Sequence, residues 1–496
     1  MTQANPDMHS SSQHRRHAVI RGGVLSGAAI LFSTVAMLAV GKMVTNRLGQ
    51  TEVAHFSLLL LWSDFFNIAG GLGLAVSLPK LIGAAPDERR GAIVGSCLRM
   101  QSHVFSGFVG LWWAILGVAW LSGLGWPQWQ PYVVLIALVP LLSVAGAFRD
   151  MAMAALAGFN RYGARATGIA VASFAQIVLV FFCLWILHRG VGVLAAAMVA
   201  SAATTALWLI FSLPSGARWN RQLVEARDCV RFSVPLYANS LLGFVFQRFD
   251  TMLIVFFLAS PTAVAIYEMA KRIPMLMSRV LSAITVPFLP TLSGMIGRGQ
   301  PEEAARFLAR TSAMVAFLSY GGVLFTVFIQ EPLLVTLFNQ EYLAATTVLG
   351  LLMFAAAVGV QTGLMGQTLI ALGKPGWVTS VNVGAAFFNV AANAVLLPTL
   401  GLKGAAVAAA ATAFLSLAAQ AWAVRKHGLC ESLSAWCMPH LCMMVAGGML
   451  WGGHGEMMVR LVALVLFVAG CFLSRVVAVR DLRTLIQAFR TPRAAR

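Results

Sequence analysis

Charged residues are scarce in this sequence. Asp, Glu, Lys and Arg make up 10% of its 496 residues, whereas apolar residues make up 59%. Soluble globular domains carry about a quarter charged residues, so the composition excludes that class. Apolar runs of about 20 residues recur along the chain, the length at which a helix crosses the hydrocarbon of a bilayer. Because these runs are continuous and do not alternate with period two, they predict transmembrane helices rather than a barrel.

Recognisable catalytic and metal-binding motifs are also lacking. The seven cysteines form no CxxC or Cys/His spacing of the kind that binds zinc. Gly70, Gly71 and Gly73 lie inside an apolar run, where close packing of helices explains them better than a nucleotide-binding loop. The sequence contains no P-loop, nucleophile elbow or pair of catalytic carboxylates. We therefore predict a protein that is not an enzyme and that holds neither a metal nor a cofactor.

The apolar runs predict about fourteen helices, at 19–44, 53–82, 92–124, 132–158, 166–187, 192–213, 231–259, 262–294, 308–329, 346–371, 377–398, 404–424, 436–453 and 459–476. An even number of spans places both termini on one side. The loops of the opposite side hold few basic residues, namely Arg47, Arg189, Lys403 and Arg460. The positive-inside rule therefore predicts cytoplasmic termini. A basic face toward anionic lipid explains the net charge of +18, so we do not expect a nucleic-acid partner.

Two stretches of the chain are similar to each other. Residues 51–83 align without gaps with residues 262–294, and Pro79 meets Pro290 in the alignment. Later landmarks keep nearly the same offset: residues 161–163 match 374–376, and residues 192–197 match 404–409. The repeat spans six helices, an even number, so its two copies run in the same direction. Parallel repeats of this kind are typical of transporters whose substrate site lies between the halves.

The duplication predicts an all-α integral membrane fold with two parallel six-helix lobes and an appended helix pair. We expect the first lobe at 1–217 and the second at 218–430. Helices 13 and 14 and a basic cytoplasmic tail then occupy 431–496.

Charged residues inside the predicted spans are the candidate functional residues, because a charge in the bilayer is costly and by default marks a pathway. The basic ones are Lys42, Lys80, Arg99, Arg149, Arg248, Lys271, Arg272 and Arg279, and the acidic ones are Asp64, Asp150, Asp250 and Glu268. The excess of cations predicts a cavity for an anionic ligand. A pyrophosphate suits it, because arginine presents a planar fork of donors to phosphate oxygens.

We assign substrate binding to six of the cations: Arg99, Arg149, Arg248, Lys271, Arg272 and Arg279. The candidates for ion coupling are Asp64, Asp250 and Glu268. Helical spacing allows Glu268 to pair with Lys271 or Arg272, whereas Arg149 and its neighbour Asp150 are expected to point apart. A purely structural role, in which the charges hold helices together, remains the alternative.

Three local patterns resemble a known family. They are the turn at residues 47–56, Asp64 followed by residues 71–75 and Lys80, and residues 247–254 followed by 265–267 and by Lys271 and Arg272. The chain resembles the multidrug/oligosaccharidyl-lipid/polysaccharide (MOP) exporter superfamily and, within it, the bacterial polysaccharide flippases of the Wzx type. The resemblance covers essentially the whole chain. It departs from the family pattern at residues 54–55 and 265–266, which lack the usual glycine.

The resemblance implies a fold like that of the MATE transporters and a flippase of the bacterial inner membrane. Its substrate would be an undecaprenyl-pyrophosphate-linked oligosaccharide, moved to the periplasmic leaflet by alternating access. The flipped oligosaccharide would serve the biosynthesis of exopolysaccharide, capsule or O-antigen. The partners of the protein would be membrane lipids and a polysaccharide polymerase. Lipid II flippases and drug or cation antiporters of the same superfamily are alternatives. A membrane glycosyl polymerase or ligase is less favoured, because the longest predicted periplasmic loop, about 330–345, is short.

Overall fold

The computed structural model describes residues 6–122, 133–188, 190–214, 224–285, 288–429, 433–452 and 456–473, and no β-strand occurs within these ranges. The predicted all-helical fold is therefore confirmed. The chain divides into two compact units, Met1–Arg248 and Phe249–Arg496.

The first unit contains α1 (Pro6–Arg47), α2 (Gln50–Gly71), α3 (Leu74–Ala84), α4 (Asp87–Ser122), α5 (Val133–Gly158), α6 (Tyr162–Phe181, continued by a π-helical turn at Phe182–Ile186) and α7 (Val191–Phe211). Helix α8 (Val224–Leu258) begins in the first unit and ends in the second. The division between the units thus falls inside a helix, well after residue 217. The assignment of six-helix lobes to 1–217 and 218–430, with 431–496 appended, stays a prediction.

The second unit continues with α9 (Pro261–Thr285), α10 (Phe288–Gly297), α11 (Pro301–Phe328), α12 (Gln330–Leu337), a 3-10 turn at Gln340–Ala345, α13 (Thr346–Ala371), α14 (Pro375–Leu400), α15 (Leu402–Lys426), α16 (Leu433–Gly452) and α17 (Met457–Leu473). Helix α13 is central to this unit and packs on α9, α11 and α15. Helices α16 and α17 pack on each other and on α11. In the first unit α5 is central and packs on α2, α3, α4 and α7.

Two helices, α5 and α15, are rich in small residues where they pack. Helix α5 buries Ala145, Gly146, Ala147, Ala152 and Ala155. Helix α15 buries a similar series: Gly404, Ala405, Ala406, Ala408, Ala410 and Ala413. Because lipid tails are as apolar as leucine, membrane helices associate mainly through close packing, which small side chains permit. These compositions explain how α5 and α15 pack closely on the helices beside them.

The count of fourteen spans is not confirmed. Among the described residues, ten helices are long and apolar enough to cross a membrane, and shorter apolar helices lie at Leu74–Gly83, Phe288–Gly297, Met438–Leu450 and Met457–Leu473. Helix α9 is not among the ten, because it carries Glu268, Lys271 and Arg272 close together within otherwise apolar sequence.

A continuous helix over 53–82 was expected, and that prediction is wrong. Leu72 and Gly73 both have positive φ, 50° and 70°, which ends α2 and starts α3 in a new direction. Helix α8 crosses this break: the Tyr237 hydroxyl donates to the carbonyl oxygen of Ala69 (3.1 Å), and Ser233 hydrogen bonds Ser77 (2.6 Å). A Cβ on residue 73 would collide with the backbone of α8, so the close approach requires glycine. The matching segment of the second unit is described as α9 and α10, with residues 286 and 287 outside the described ranges.

A second irregularity lies in α5, at Pro140. Proline has no N–H group, so the carbonyl of Ile136 loses its helical hydrogen bond. The indole Nε1 of Trp112, on α4, donates to that carbonyl oxygen at 3.0 Å. One helix therefore supplies the donor that another lacks, inside a bilayer that offers no water.

Trp112→Phe should lower the free energy of unfolding by about 1–3 kcal/mol, because it leaves the Ile136 carbonyl without a donor. Thermal unfolding of the purified protein in detergent measures this. Trp113→Phe is the matched control, since the Trp113 indole is exposed and its contact to the Ala137 carbonyl is longer, 3.4 Å. In a Pro140→Ala variant, the backbone N–H of residue 140 can again donate to the Ile136 carbonyl. Trp112→Phe should then lower the free energy of unfolding by less. An unchanged cost in that variant would contradict this explanation.

Candidate functional site

A polar cavity lies within the first unit, among α2, α5, α6, α7 and α8. Its volume is about 240 Å³, and it is lined by Leu60, Ser63, Asp64, Asn67, Leu142, Gly146, Arg149, Ala172, Gln176, Met198, Ser201, Ala202, Thr205 and Arg248. Small residues on α5, α6 and α7 leave the space open. We call it the arginine cavity, because Arg149 and Arg248 both line it.

Arg248 and Asp64 form an ion pair in this cavity. The Nη2 atom of Arg248 lies 3.1 Å from Oδ2 of Asp64. The Asp64 side chain is 49% exposed and that of Arg248 is 26% exposed. Since they lie in α8 and α2, the pair connects two helices while remaining accessible from the cavity. Arg248 and Asp250, only two residues apart, have different partners, as their helical spacing predicts.

Arg149 pairs with its neighbour Asp150, which corrects the expectation that the two point apart. Both Nε and Nη2 of Arg149 lie 3.0 Å from Oδ1 of Asp150. The long arginine side chain folds back along α5 far enough to reach the adjacent carboxylate. The Nδ2 group of Asn67 donates to the other oxygen of Asp150 at 3.0 Å, and so holds the carboxylate from α2. Within the described residues, Nη1 of Arg149 makes no hydrogen bond.

Asp250 is the centre of a separate group of polar side chains, in the second unit. We call Asp250, Thr251, Tyr267, Glu268 and Lys271 the Asp250 cluster. The carboxylate of Asp250 accepts hydrogen bonds from Lys271 Nζ (2.9 and 3.2 Å), from the Tyr267 hydroxyl (2.7 Å) and from the backbone N–H of Thr251 (2.8 Å). Thr251 also donates its hydroxyl to Glu268. The predicted pair of Glu268 and Lys271 is looser, at 3.9 Å.

The Asp250 cluster is buried. Asp250 and Glu268 are each 8% exposed, and Tyr267 is fully buried. Because a buried charge must be paired and hydrogen bonded, this geometry favours the structural alternative for Lys271, Asp250 and Glu268. The cluster connects α8 to α9. Asp64, by contrast, is the coupling candidate that meets a cavity.

The remaining candidate cations lie elsewhere. Arg99 is on α4, where its carbonyl oxygen contacts Nδ1 of His103 at 2.8 Å. Arg272 and Arg279 are half-buried on α9 of the second unit. None of the three lines the arginine cavity. Their role in substrate binding stays a prediction.

Several polar side chains of the cavity were not anticipated from the sequence. Asn67, Gln176, Ser201 and Thr205 line it together with the charged residues. The spacing of these residues in the sequence could have predicted them, because Asn67 lies three residues after Asp64 and Thr205 lies four residues after Ser201. Such spacing places polar groups on one face of an otherwise apolar helix.

The chain matches one family and several known proteins. The model of the family described as "polysaccharide biosynthesis protein" matches residues 98–347. The chain is 24% identical over 189 residues to the probable low-salt glycan biosynthesis flippase Agl15 of Haloferax volcanii, a match that covers 38% of this chain and 39% of that protein. It thus spans about two fifths of the length of that relative.

Solved structures share the fold over nearly their whole length. The lipid II flippase MurJ, in an inward closed conformation, has a TM-score of 0.67 at 12% identity, covering 92% of this chain and 99% of the other. An inward-facing multidrug resistance MATE transporter of the MOP superfamily has a TM-score of 0.64 at 16% identity, covering 80% and 98%. A MOP superfamily transporter from Pyrococcus furiosus, described as having a binding pocket of reverse polarity, has a TM-score of 0.58 at 16% identity, covering 83% and 96%. At these identities the likeness establishes the fold alone.

Proposed function

The chain belongs to the family of polysaccharide biosynthesis proteins, and we propose that within this family it is a flippase for a lipid-linked oligosaccharide. Its substrate is an oligosaccharide on undecaprenyl pyrophosphate, which it moves from the cytoplasmic to the periplasmic leaflet by alternating access. Transport requires no chemical step by the protein. The name of the archaeal relative, a glycan biosynthesis flippase, and the fold of MOP transporters both support this assignment.

The observation that carries the proposal is the pair of arginines in the arginine cavity. A pyrophosphate that leaves water needs charged donors to replace its hydration, and guanidinium groups supply them in a planar array. Asp150 orients Arg149 through its contacts with Nε and Nη2, and Asn67 in turn donates to the other oxygen of Asp150. This leaves the Nη1 group, which has no protein partner among the described residues, to donate to a phosphate oxygen.

Asp64 can promote release of the pyrophosphate from the arginine cavity. Its carboxylate competes with a phosphate for Arg248, because both are anions that accept from the same guanidinium. Binding of the pyrophosphate would displace Asp64, and the return of Asp64 would favour release. Asp64 is therefore our candidate for coupling transport to a proton or cation.

We place the protein in the inner membrane of a bacterium, with both termini in the cytoplasm. The apolar helices support a multi-pass membrane protein, and the asymmetry of basic residues supports the orientation. A polysaccharide polymerase that consumes the translocated oligosaccharide is the expected functional partner.

Transport by the purified full-length chain in liposomes tests the proposal. A fluorescent oligosaccharide on undecaprenyl pyrophosphate, placed in both leaflets, becomes accessible to a membrane-impermeant quencher when it is flipped. The quencher removes the fluorescence of the outer leaflet in all liposomes. We expect the fluorescence of the inner leaflet to be lost only in liposomes that contain the protein. Lipid II and a cationic dye are the matched alternatives, since movement of lipid II alone would indicate a lipid II flippase, and movement of the dye alone an antiporter. The two arginines favour an anion over the dye.

A further inference from the structure

A second and larger cavity lies within the second unit, among α11, α13, α15 and α16. Its volume is about 690 Å³, within the range of small-molecule and lipid sites. Tyr320 closes its inner wall and is 2% exposed, whereas Phe414 and Met444 at its edge are 55% and 72% exposed. The cavity is therefore a cleft that opens sideways, through exposed apolar side chains.

The lining of this cleft changes from polar to apolar along the helices. Gln330, Thr346, Lys403 and Arg460 line one end, and each lies within a few residues of a helix terminus. Aromatic side chains line the part further along the helices, among them Phe354, Phe414 and the contacting rings of Tyr320 and His440. A lining with charge at one end and aromatic side chains beyond has the polarity of a lipid molecule, with a headgroup and acyl chains.

The depth of the cleft matches a single leaflet. Lys403 and Phe414 are eleven positions apart on α15, and a helix rises 1.5 Å per residue, which gives roughly 16 Å. Half of a hydrocarbon core of about 30 Å is about 15 Å. A chain that fills the cleft thus has the length of a phospholipid acyl chain, far less than an extended polyprenyl tail.

The charged end of the cleft is positive. Lys403 and Arg460 line this end, and no acidic side chain is among the lining residues that the structure describes. Glu331, outside that lining, pairs with Arg460 at 3.1 Å, and Lys403 is exposed. The predicted topology places this end at the periplasmic face, where Lys403 and Arg460 are two of only four basic residues in the predicted loops. We propose that the cleft binds one anionic phospholipid of the periplasmic leaflet, with its phosphate at Lys403 and Arg460 and an acyl chain between α15 and α16. Binding of this phospholipid does not depend on the substrate that binds in the arginine cavity.

Native mass spectrometry of the purified full-length chain tests the site, with phosphatidylglycerol and phosphatidylethanolamine of identical acyl chains as probes. We expect a single phosphatidylglycerol to bind about tenfold more tightly than phosphatidylethanolamine, the difference that one charged interaction produces. Lys403→Gln, at an exposed position that cannot disturb packing, should remove this preference.

Two adjacent glycines of α16 provide a matched pair for the acyl chain. Gly447 lines the cleft, Gly448 does not, and a Cβ on either meets no atom within 4 Å. Gly447→Phe should abolish binding of the phospholipid, and Gly448→Phe should leave it unchanged. Equal binding of the two phospholipids, or equal behaviour of the two glycine variants, would overturn the proposal. Displacement of phosphatidylglycerol by undecaprenyl phosphate at equal concentration would assign the cleft to the carrier lipid instead.

Discussion

Asp250→Ala is expected to lower the free energy of unfolding by about 3–5 kcal/mol, the cost of removing one partner from a buried ion pair. The substitution takes from Lys271 the carboxylate at 2.9 Å and from Tyr267 the acceptor of its hydroxyl, at a largely buried site. Thermal unfolding of the purified protein in detergent measures the change. Asp250→Asn should cost less, since an amide oxygen can still accept from Tyr267.

Asp64→Ala is the control for Asp250→Ala. It also removes a carboxylate from an ion pair between helices, but the Asp64 side chain is 49% exposed. Pairs accessible to solvent contribute less than about 1 kcal/mol. We therefore expect Asp64→Ala to retain stability and to lose transport. Equal destabilisation by the two alanine variants would contradict the distinction between a buried structural carboxylate and one in a cavity.

Arg149→Ala should reduce flipping of the labelled oligosaccharide roughly tenfold to a hundredfold at low substrate, since a charged hydrogen bond contributes about 1.5–3 kcal/mol. The physical reason is the loss of the Nη1 donor in the arginine cavity. Arg149→Lys should recover only part of the rate, because an ammonium group lacks the planar fork. The liposome assay measures both variants, with the amount of reconstituted protein determined in each sample.

Arg161→Ala is the matched control for Arg149→Ala. Arg161 belongs to the same unit, is not among the six cations assigned to substrate binding and does not line the arginine cavity, so its removal should affect flipping much less. Full transport by Arg149→Ala would remove the pyrophosphate contact from the proposed mechanism. A loss of protein rather than of rate would assign Arg149 a structural role, in which it serves to balance Asp150.

The class of fold followed from the sequence because it depends on summed properties. Long apolar runs and the scarcity of charge determine that the chain forms membrane helices, whatever their neighbours are. The break at Leu72 and Gly73 did not follow. It depends on the approach of Tyr237 and Ser233 from α8, more than 150 positions away in the chain, and apolar periodicity carries no information about such a contact.

The site was predictable in its residue types but not in its pairings. Charge within apolar runs identified Arg149, Arg248 and Asp64 as candidates, and the structure places all three in one cavity. The partner of each charge depends on side-chain reach. Arg149 folds back to Asp150, and Lys271 reaches across to Asp250 rather than along its own helix to Glu268. Spacing on one helix predicts which residues share a face, and it cannot rank a partner on another helix.

The hydrogen bond from Trp112 to Ile136 has a consequence for biogenesis. Helix α5 cannot satisfy its own backbone at Pro140, so it enters lipid with a carbonyl that needs a donor from outside. Helix α4 precedes α5 in the chain and is therefore already synthesised when α5 leaves the ribosome. The order of the two segments in the gene is thus the order in which insertion must proceed. A circular permutation that placed α5 ahead of α4 would expose the incomplete helix to lipid during synthesis.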